Sequence, residues 1–373
     1  MPLLLALLAS AAIQDTPEQS RQQVATTDQG ALYVITGQGG NILFSTGRDG
    51  TFVIDDQFAR VAEENLALIE EVSEGPIVFV LNTHYHGDHT SGNAAFVDAG
   101  ATVISREAVR RRLAAEAPDD GDPERAGEAY LPVITFEQAA SFYWNGQPIR
   151  AVALRDAHTD GDAMAYFEGS DVLHTGDVFF SGRYPYIDVE AGGSAAGMIA
   201  ALERILEVAG PDTVVVPGHG PVGTEAQAED ALAMLRDARD IVAARMAAGD
   251  DADAIVAADV LSEYDEAYSW GFIDSEKMIR QLHASLQARA ARRGRPASPA
   301  AEDERAQTTG EAGDEDTMAE RLNRAQLDSE AEQARRPAAE VAPSETRQPA
   351  DPVEPSVPGS IPDTVSPTPN RGG

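Results

Sequence analysis

Residues 77–89 read IVFVLNTHYHGDH. The first five are apolar and rich in β-branched and aromatic side chains, the length and composition of a buried strand. His84, His86, Asp88 and His89 follow at once, so three imidazoles and a carboxylate crowd into six residues of a loop. Neutral imidazole and carboxylate are the usual ligands of zinc, and alternate residues leaving a strand end can converge on one point. A solvated polar loop is the bland alternative, but it has no reason to concentrate three of the chain's seven histidines.

Further along, residues of the same chemistry recur in short turns. His158 sits in Ala157-His158-Thr159-Asp160-Gly161-Asp162. Asp177 ends His174-Thr175-Gly176-Asp177 after a strand-like run, and His219 sits in Val216-Pro217-Gly218-His219-Gly220. Upstream lies Gly50-Thr51-Phe52-Val53-Ile54-Asp55-Asp56, a short strand running into a turn. Together, and in this order, these segments resemble the H-x-H-x-D-H, G-H-T, T-G-D and P-G-H-G motifs of the metallo-β-lactamase superfamily. The resemblance covers about residues 28–250.

The resemblance implies an α/β fold, the four-layer αβ/βα sandwich, with two Zn2+ ions in a cleft at one edge. His84, His86 and His158 would hold the first zinc, and Asp88, His89 and His219 the second. Asp177 would bridge them, since two-metal sites sit roughly 3.5–4 Å apart. Zinc lowers the pKa of bound water from about 15.7 to about 7, which makes hydroxide available at neutral pH without a serine or cysteine nucleophile. Asp88 is the candidate catalytic residue, orienting the water and moving a proton as well as ligating. The expected function is a dinuclear zinc hydrolase using a metal-bound hydroxide on a small ester, thioester or lactam.

Two departures separate the chain from the first subclass of lactamases, which its spacing otherwise resembles. Asp177 stands where those enzymes have a cysteine, and Phe180 stands where they place a lysine that grips the substrate carboxylate. The aspartate resembles instead the hydroxyacylglutathione hydrolases. A β-lactamase proper and a zinc-binding protein without turnover are the alternatives. A diiron redox protein of the same superfamily would carry Glu in place of His86, and no flavin domain follows.

Asp177 leads into Val178-Phe179-Phe180-Ser181-Gly182-Arg183-Tyr184-Pro185-Tyr186. Arg183, Tyr184 and Tyr186 are candidate substrate-binding residues, an anion anchor and an aromatic wall. His174 is expected to be a core or supporting residue by its strand parity, and His283 a surface residue on the last helix. Thr159 and Asp162 are candidates for orienting His158.

Composition sets the frame. The chain has 373 residues and a formal net charge of −34, with Lys277 its only lysine. Such acidity argues against nucleic acid, whose phosphates need clustered basic residues; the expected partner is a small-molecule substrate. No cysteine is present, which excludes disulfides, thiolate zinc sites and a cysteine nucleophile. Residues 2–13, PLLLALLASAAI, form a short apolar run ending in an A-x-A pattern, Ala9-Ser10-Ala11. Residues 1–13 therefore read as a signal peptide, and the protein as periplasmic or secreted. That run is shorter than the roughly 20 apolar residues of a membrane span, so no stable membrane span is expected.

Residues 28–293 read as one mixed α/β domain. Strands are expected at 31–36, 41–45, 51–55, 77–81, 102–105, 149–154, 164–167, 172–174 and 213–216. Helices are expected at 58–72, 195–208, 225–247 and 275–292. Residues 294–373 hold 11 of the 22 prolines and no aromatic residue. Such a segment cannot bury enough apolar surface to offset its conformational entropy, so it reads as a disordered acidic tail.

Overall fold

The computed structural model describes residues 18–115 and 130–294. The expected signal peptide, and the expected tail beyond residue 294, lie outside the described residues.

Two sheets form the centre. The first contains β1 (Ser20–Thr27), β2 (Gly30–Thr36), β3 (Ile42–Gly47), β4 (Thr51–Ile54), β5 (Ile77–Leu81), β6 (Thr102–Arg106) and β7 (Ile134–Phe136), side by side in that order. It is antiparallel from β1 to β4 and parallel from β4 to β7. The second contains β8 (Ala139–Trp144), β9 (Gln147–Ala153), β10 (Ala163–Phe167), β11 (Val172–His174) and β12 (Val214–Val216), ordered 12-11-10-9-8. The strands expected at 164–167 and 172–174 form an antiparallel pair, with Ala165 opposite His174.

Period-two alternation places opposite faces of each strand in different layers. Phe52, Ile54, Leu81 and Ile104 of the first sheet meet Ile149, Ala165, Phe167 and Val216 of the second in one buried layer. The opposite face of the first sheet, with Phe44, Val53, Val80 and Val103, is covered by α1 (Ala59–Glu70) and α3 (Asn93–Asp98). The opposite face of the second, with Met164, Leu173 and Val215, is covered by α5 (Ala195–Leu206), α6 (Glu225–Ala247) and α9 (Ser275–Gly294). The layers therefore run helix, sheet, sheet, helix, as expected. The bounds of α6 match the sequence reading because Thr224 and Gln227 close a reciprocal capping box at its start.

Several elements were not foreseen. β1 precedes the expected domain start at Asp28: its SRQQVATT sequence is polar because it is an edge strand with one solvated side. β8 alternates exposed Ala139, Ser141 and Tyr143 with half-buried Ala140, Phe142 and Trp144, a pattern blurred by small residues. α4 (Glu107–Ala115) carries three consecutive arginines that hide its buried stripe of Ala108, Val109 and Leu113. Two short helices, α7 (Ala252–Ala257) and α8 (Ser262–Tyr268), fill the interval before α9. Among the described residues no helix is long and apolar enough to cross a membrane.

The two sheets are pinned at one end of their interface by aromatic packing. The fully buried Phe52 ring lies 5.1 Å from Phe142 and 5.5 Å from Phe79, centroid to centroid. Removing it leaves a cavity that neighbours on two different sheets cannot close. Phe52→Ala is expected to lower unfolding stability by about 3–5 kcal/mol, read from the denaturant midpoint; a loss below about 1 kcal/mol would show that the sheets re-pack freely there.

Candidate metal centre

Every candidate ligand sits just beyond a strand end, on the same edge of the sandwich. His84 and His86 leave β5; α2 (Gly87–Thr90), one turn long, presents Asp88 and His89. His158 lies in the β9–β10 connection. Asp177 lies in a single 3-10 turn (Gly176–Val178) after β11, and His219 follows β12. Backbone bonds lock these loops together. Gly218 N–H donates to Gly176 O at 2.8 Å, Ala163 N–H to Thr83 O at 2.8 Å, and Gly40 N–H to Asp88 O at 3.0 Å. Asn41 spans the β2–β3 turn and the His219 loop, its side-chain amide donating to Pro217 O and Gly220 O.

Two glycines are required by close approach. A Cβ on Gly40 would stand 2.1 Å from His89 Cε1, and one on Gly218 would stand 1.9 Å from Asp177 Oδ1. Any side chain at either position would push a candidate ligand out of place.

The donors form two groups. His84, His86, His158 and Asp177 each offer an atom within 4.8 Å of the others, and so do Asp88, His89 and His219. Asp177 reaches both. Its Oδ2 lies 3.8 Å from His84 Nε2, 3.6 Å from His158 Nε2 and 3.4 Å from His219 Nε2. Its Oδ1 lies 3.1 Å from His89 Nε2, and Asp88 Oδ2 lies 3.1 Å from His219 Nε2. Two donors each about 2.1 Å from one tetrahedral ion lie about 3.4 Å apart, and these separations bracket that value. His84 Nε2 and Asp177 Oδ1 are buried without a hydrogen-bond partner. Unpartnered buried polar atoms are rare, and a cation would satisfy both.

For His84, His86, His89 and His158, a hydrogen bond on the far side of the ring decides which nitrogen faces the centre. His89 Nδ1–H donates to Asp55 Oδ2 at 2.7 Å, leaving Nε2 for the centre. His158 Nδ1–H donates to Tyr186 O at 2.9 Å. His86 is reversed: its Nε2–H donates to Asp188 Oδ2 at 3.0 Å, so Nδ1 faces inward, 2.8 Å from His158 Nε2. His84 Nδ1–H donates to Thr83 Oγ1, whose hydroxyl donates to Asp55 Oδ2. Asp55 thus orients two imidazoles at once, and Asp188, which also accepts from Tyr85 Oη, orients a third.

Electrostatics follow from burial and crowding. Burial pushes the His84 imidazole well below its usual range and His158 down to about 4, so both favour the neutral, ligating form. Burial opposes charge on Asp177 too, but the imidazoles of His219, His89 and His84 outweigh it and hold the carboxyl well below its usual range. The same contest holds Asp88 at about 2, with His89 and His219 outweighing burial. For His89, burial is outweighed by Asp177, Asp88 and Asp55, which raise its pKa well above the ordinary value. Three carboxylates thus draw positive charge to the second group, which a bound cation would supply.

The supporting candidates divide. His174 is buried outside the donor groups: Nε2–H donates to Asn41 O and Nδ1 accepts from Gly176 N–H, so it props the turn carrying Asp177. Asp162 accepts from Thr159 N–H and Oγ1–H, tightening the His158 turn. His283 is half-buried on α9.

The centre opens into a cleft of about 710 Å³ whose lining includes His86, Asp88, Asp177 and His219. Arg183 and Tyr186 line it as expected, and the Tyr186 ring stacks 5.9 Å from His86. Tyr184 does not, and the expectation that it forms the substrate wall is corrected. It is fully buried, its N–H bonded to Tyr268 O and its hydroxyl donating to Leu261 O, so it anchors the loop to the helices behind. The aromatic wall comes instead from Phe58, Phe180, Trp270 and Phe272, joined by Arg60. Trp270 and Phe272 lie in the Gly-containing turn between α8 and α9, about 90 residues beyond Asp177, and only the pairing of two aromatics around a glycine in W-G-F could have drawn attention to them. Asp188 gave no signal among 62 acidic residues.

The chain belongs to the metallo-beta-lactamase superfamily, whose sequence profile matches residues 25–219. Over 132 residues it is 31% identical to a hydroxyacylglutathione hydrolase of Methylococcus capsulatus, covering 34% of this chain and 42% of that protein. Over 144 residues it is 33% identical to a hydroxyacylglutathione hydrolase of Polaromonas sp., covering 38% and 48%. The chain spans less than half the length of these curated relatives. Among solved structures, a metallo-beta-lactamase from Pontibacter korlensis aligns with 20% identity and a TM-score of 0.48, covering 58% of this chain and 99% of that one. The DIM-1 metallo-beta-lactamase aligns with 15% identity and a TM-score of 0.47.

The Asp55 arrangement is directly testable. Asp55→Ala removes the acceptor of His89 and Thr83 and is expected to weaken metal binding roughly 10–100-fold in a competitive chelator titration. Unchanged affinity would show that the imidazoles hold their orientation without it.

Proposed function

We propose that the protein is a dinuclear zinc hydrolase of small acyl substrates, with a thioester or ester as the preferred class. The observation that carries this reading is the pair of donor groups sharing Asp177 at the floor of an open cleft. Imidazole-rich, thiolate-free sites with carboxylate suit zinc. Bound there, a zinc pair supplies Lewis acidity and an activated water for attack on a carbonyl.

The chain's own residues do the rest. Asp88, which lines the cleft, takes the proton given up by the attacking water and returns it to the departing thiolate or alkoxide. Water adds to the acyl carbon, the C–S or C–O bond breaks, and an acid and a thiol or alcohol leave. Phe58, Tyr186, Trp270 and Phe272 hold the apolar part of the substrate and exclude bulk water. The names of the two curated relatives support the thioester class.

Lactam hydrolysis ranks second. Phe180, in the place where the first lactamase subclass carries a lysine, is buried and stacked on His219 with centroids 5.5 Å apart and planes 14° from parallel. It narrows the site beside one ligand and offers a lactam carboxylate no charge.

Zinc-loaded protein assayed on matched thioesters, esters, lactones and nitrocefin should turn over thioesters best, and chelation should abolish the activity. Asp177→Asn should cut turnover by at least about 100-fold, since losing a side chain that merely supports a ligand already costs roughly 10–100-fold. Its zinc content should drop chiefly at the group of Asp88, His89 and His219. Two bound zincs with no turnover of any substrate would leave a binding protein; full activity of Asp177→Asn would remove the shared carboxylate from the account.

A further inference from the structure

Two guanidinium groups line the cleft, one at the start of α1 and one in the loop after Asp177, and each lies over an aromatic ring. Arg60, in the first turn of α1, has its Cζ 3.9 Å from the Phe58 ring centroid, and its Nε–H donates to Gln38 Oε1 at 3.1 Å. Arg183, in the loop after Asp177, has its Cζ 4.9 Å from the Trp270 centroid. Stacking of this kind holds the planar fork in place and leaves its edge free to donate.

Among the described residues neither is neutralised by a carboxylate, although both line the cleft. The chain has 62 acidic residues against 28 basic ones. Arg112, Arg150, Arg204, Arg236 and Arg280 each pair with a carboxylate, while Arg106 and Arg110 donate to backbone carbonyls. Among the described residues, neither Arg60 nor Arg183 has a carboxylate within ion-pair distance, and the Arg183 fork has no hydrogen-bond partner. Arg183 is also half-buried, so burial lowers its pKa with no neighbouring acid to offset the cost. An arginine left unpaired in so acidic a chain, at the mouth of a reactive centre, suits an anion brought by the substrate.

We propose that the cleft takes an elongated acyl compound carrying a carboxylate or similar anion at each end, with Arg60 and Arg183 as the two anchors. This rests on the hydrolase reading above for the reacting bond between those ends. Arg60 binds the end nearer α1, and Arg183 the end nearer Trp270. The aromatic wall accepts the apolar middle, and the length between the anchors sets which substrates place their carbonyl over the metal centre.

Four thioesters test this on the zinc-loaded protein: butyryl and succinyl esters of N-acetylcysteamine, and the same two acyl groups on 3-mercaptopropionate. They carry no charge, one charge at either end, or both. kcat/KM is expected to rise about tenfold with each charge. R60Q and R183Q should each erase the gain from one end and leave the gain from the other. Calorimetric binding of α,ω-dicarboxylates of four to ten carbons, against monocarboxylates of equal length, gives a readout independent of turnover. One chain length should bind best, and either variant should weaken it about tenfold. Equal rates across the four thioesters, or dicarboxylate binding that ignores both substitutions, would overturn the proposal while leaving a hydrolase. Arginine-dependent dicarboxylate binding with no thioester turnover would uphold it and count against the hydrolase reading instead.

Discussion

A buried carboxylate, Asp55, stands where β4 ends, on a backbone turned to a left-handed φ of 62°. It accepts from Thr83 N–H, Thr83 Oγ1–H and His89 Nδ1–H, all within 2.8 Å. Burying a carboxyl group is costly unless its oxygens are hydrogen-bonded, and these three donors reach it only because the loop after β5 closes over it. The loop's path is therefore set from behind. Once Thr83 and His89 are fixed, His84 is fixed through the Thr83 hydroxyl, and both rings turn their Nε2 atoms to the same space.

The remaining ligands arrive by sheet geometry. β11 and β12 are parallel, so the segments after them emerge side by side and bring Asp177 next to His219. Tyr186 and Asp188, eleven residues or fewer beyond Asp177, return to hold His158 and His86 by their outer nitrogens. The ligands are thus reached by short turns from rigid strands, and His84, His86, His89 and His158 each have a hydrogen bond behind the ring. A site so supported keeps its geometry at little entropic cost when a metal binds.

Much of this was legible in the sequence, for a physical reason. Ligands on loops after apolar strands leave a local record: an apolar run, then His and Asp at tight spacing. The strands that carry them show the plain composition of buried parallel strands. What stayed hidden depends on distant parts of the chain. Asp188 looks like any acid in an acidic protein until His86 is folded against it. Tyr184 and Tyr186 are two residues apart in one aromatic run, yet one is buried by Tyr268 and Leu261 while the other faces the cleft. Trp270 and Phe272 reach the site only because α8 and α9 pack behind it. The edge strands β1 and β8 were obscured because half of their side chains face solvent or are small.

The bridging role proposed for Asp177 requires two metal positions within one centre. X-ray absorption at the zinc edge, with metal content measured on the same sample, tests it most directly. About two zincs per chain are expected, with nitrogen and oxygen neighbours near 2.0–2.2 Å and a metal–metal vector at about 3.5–4 Å. A single zinc at full activity, iron as the dominant metal, or two zincs with no vector at that distance would contradict it.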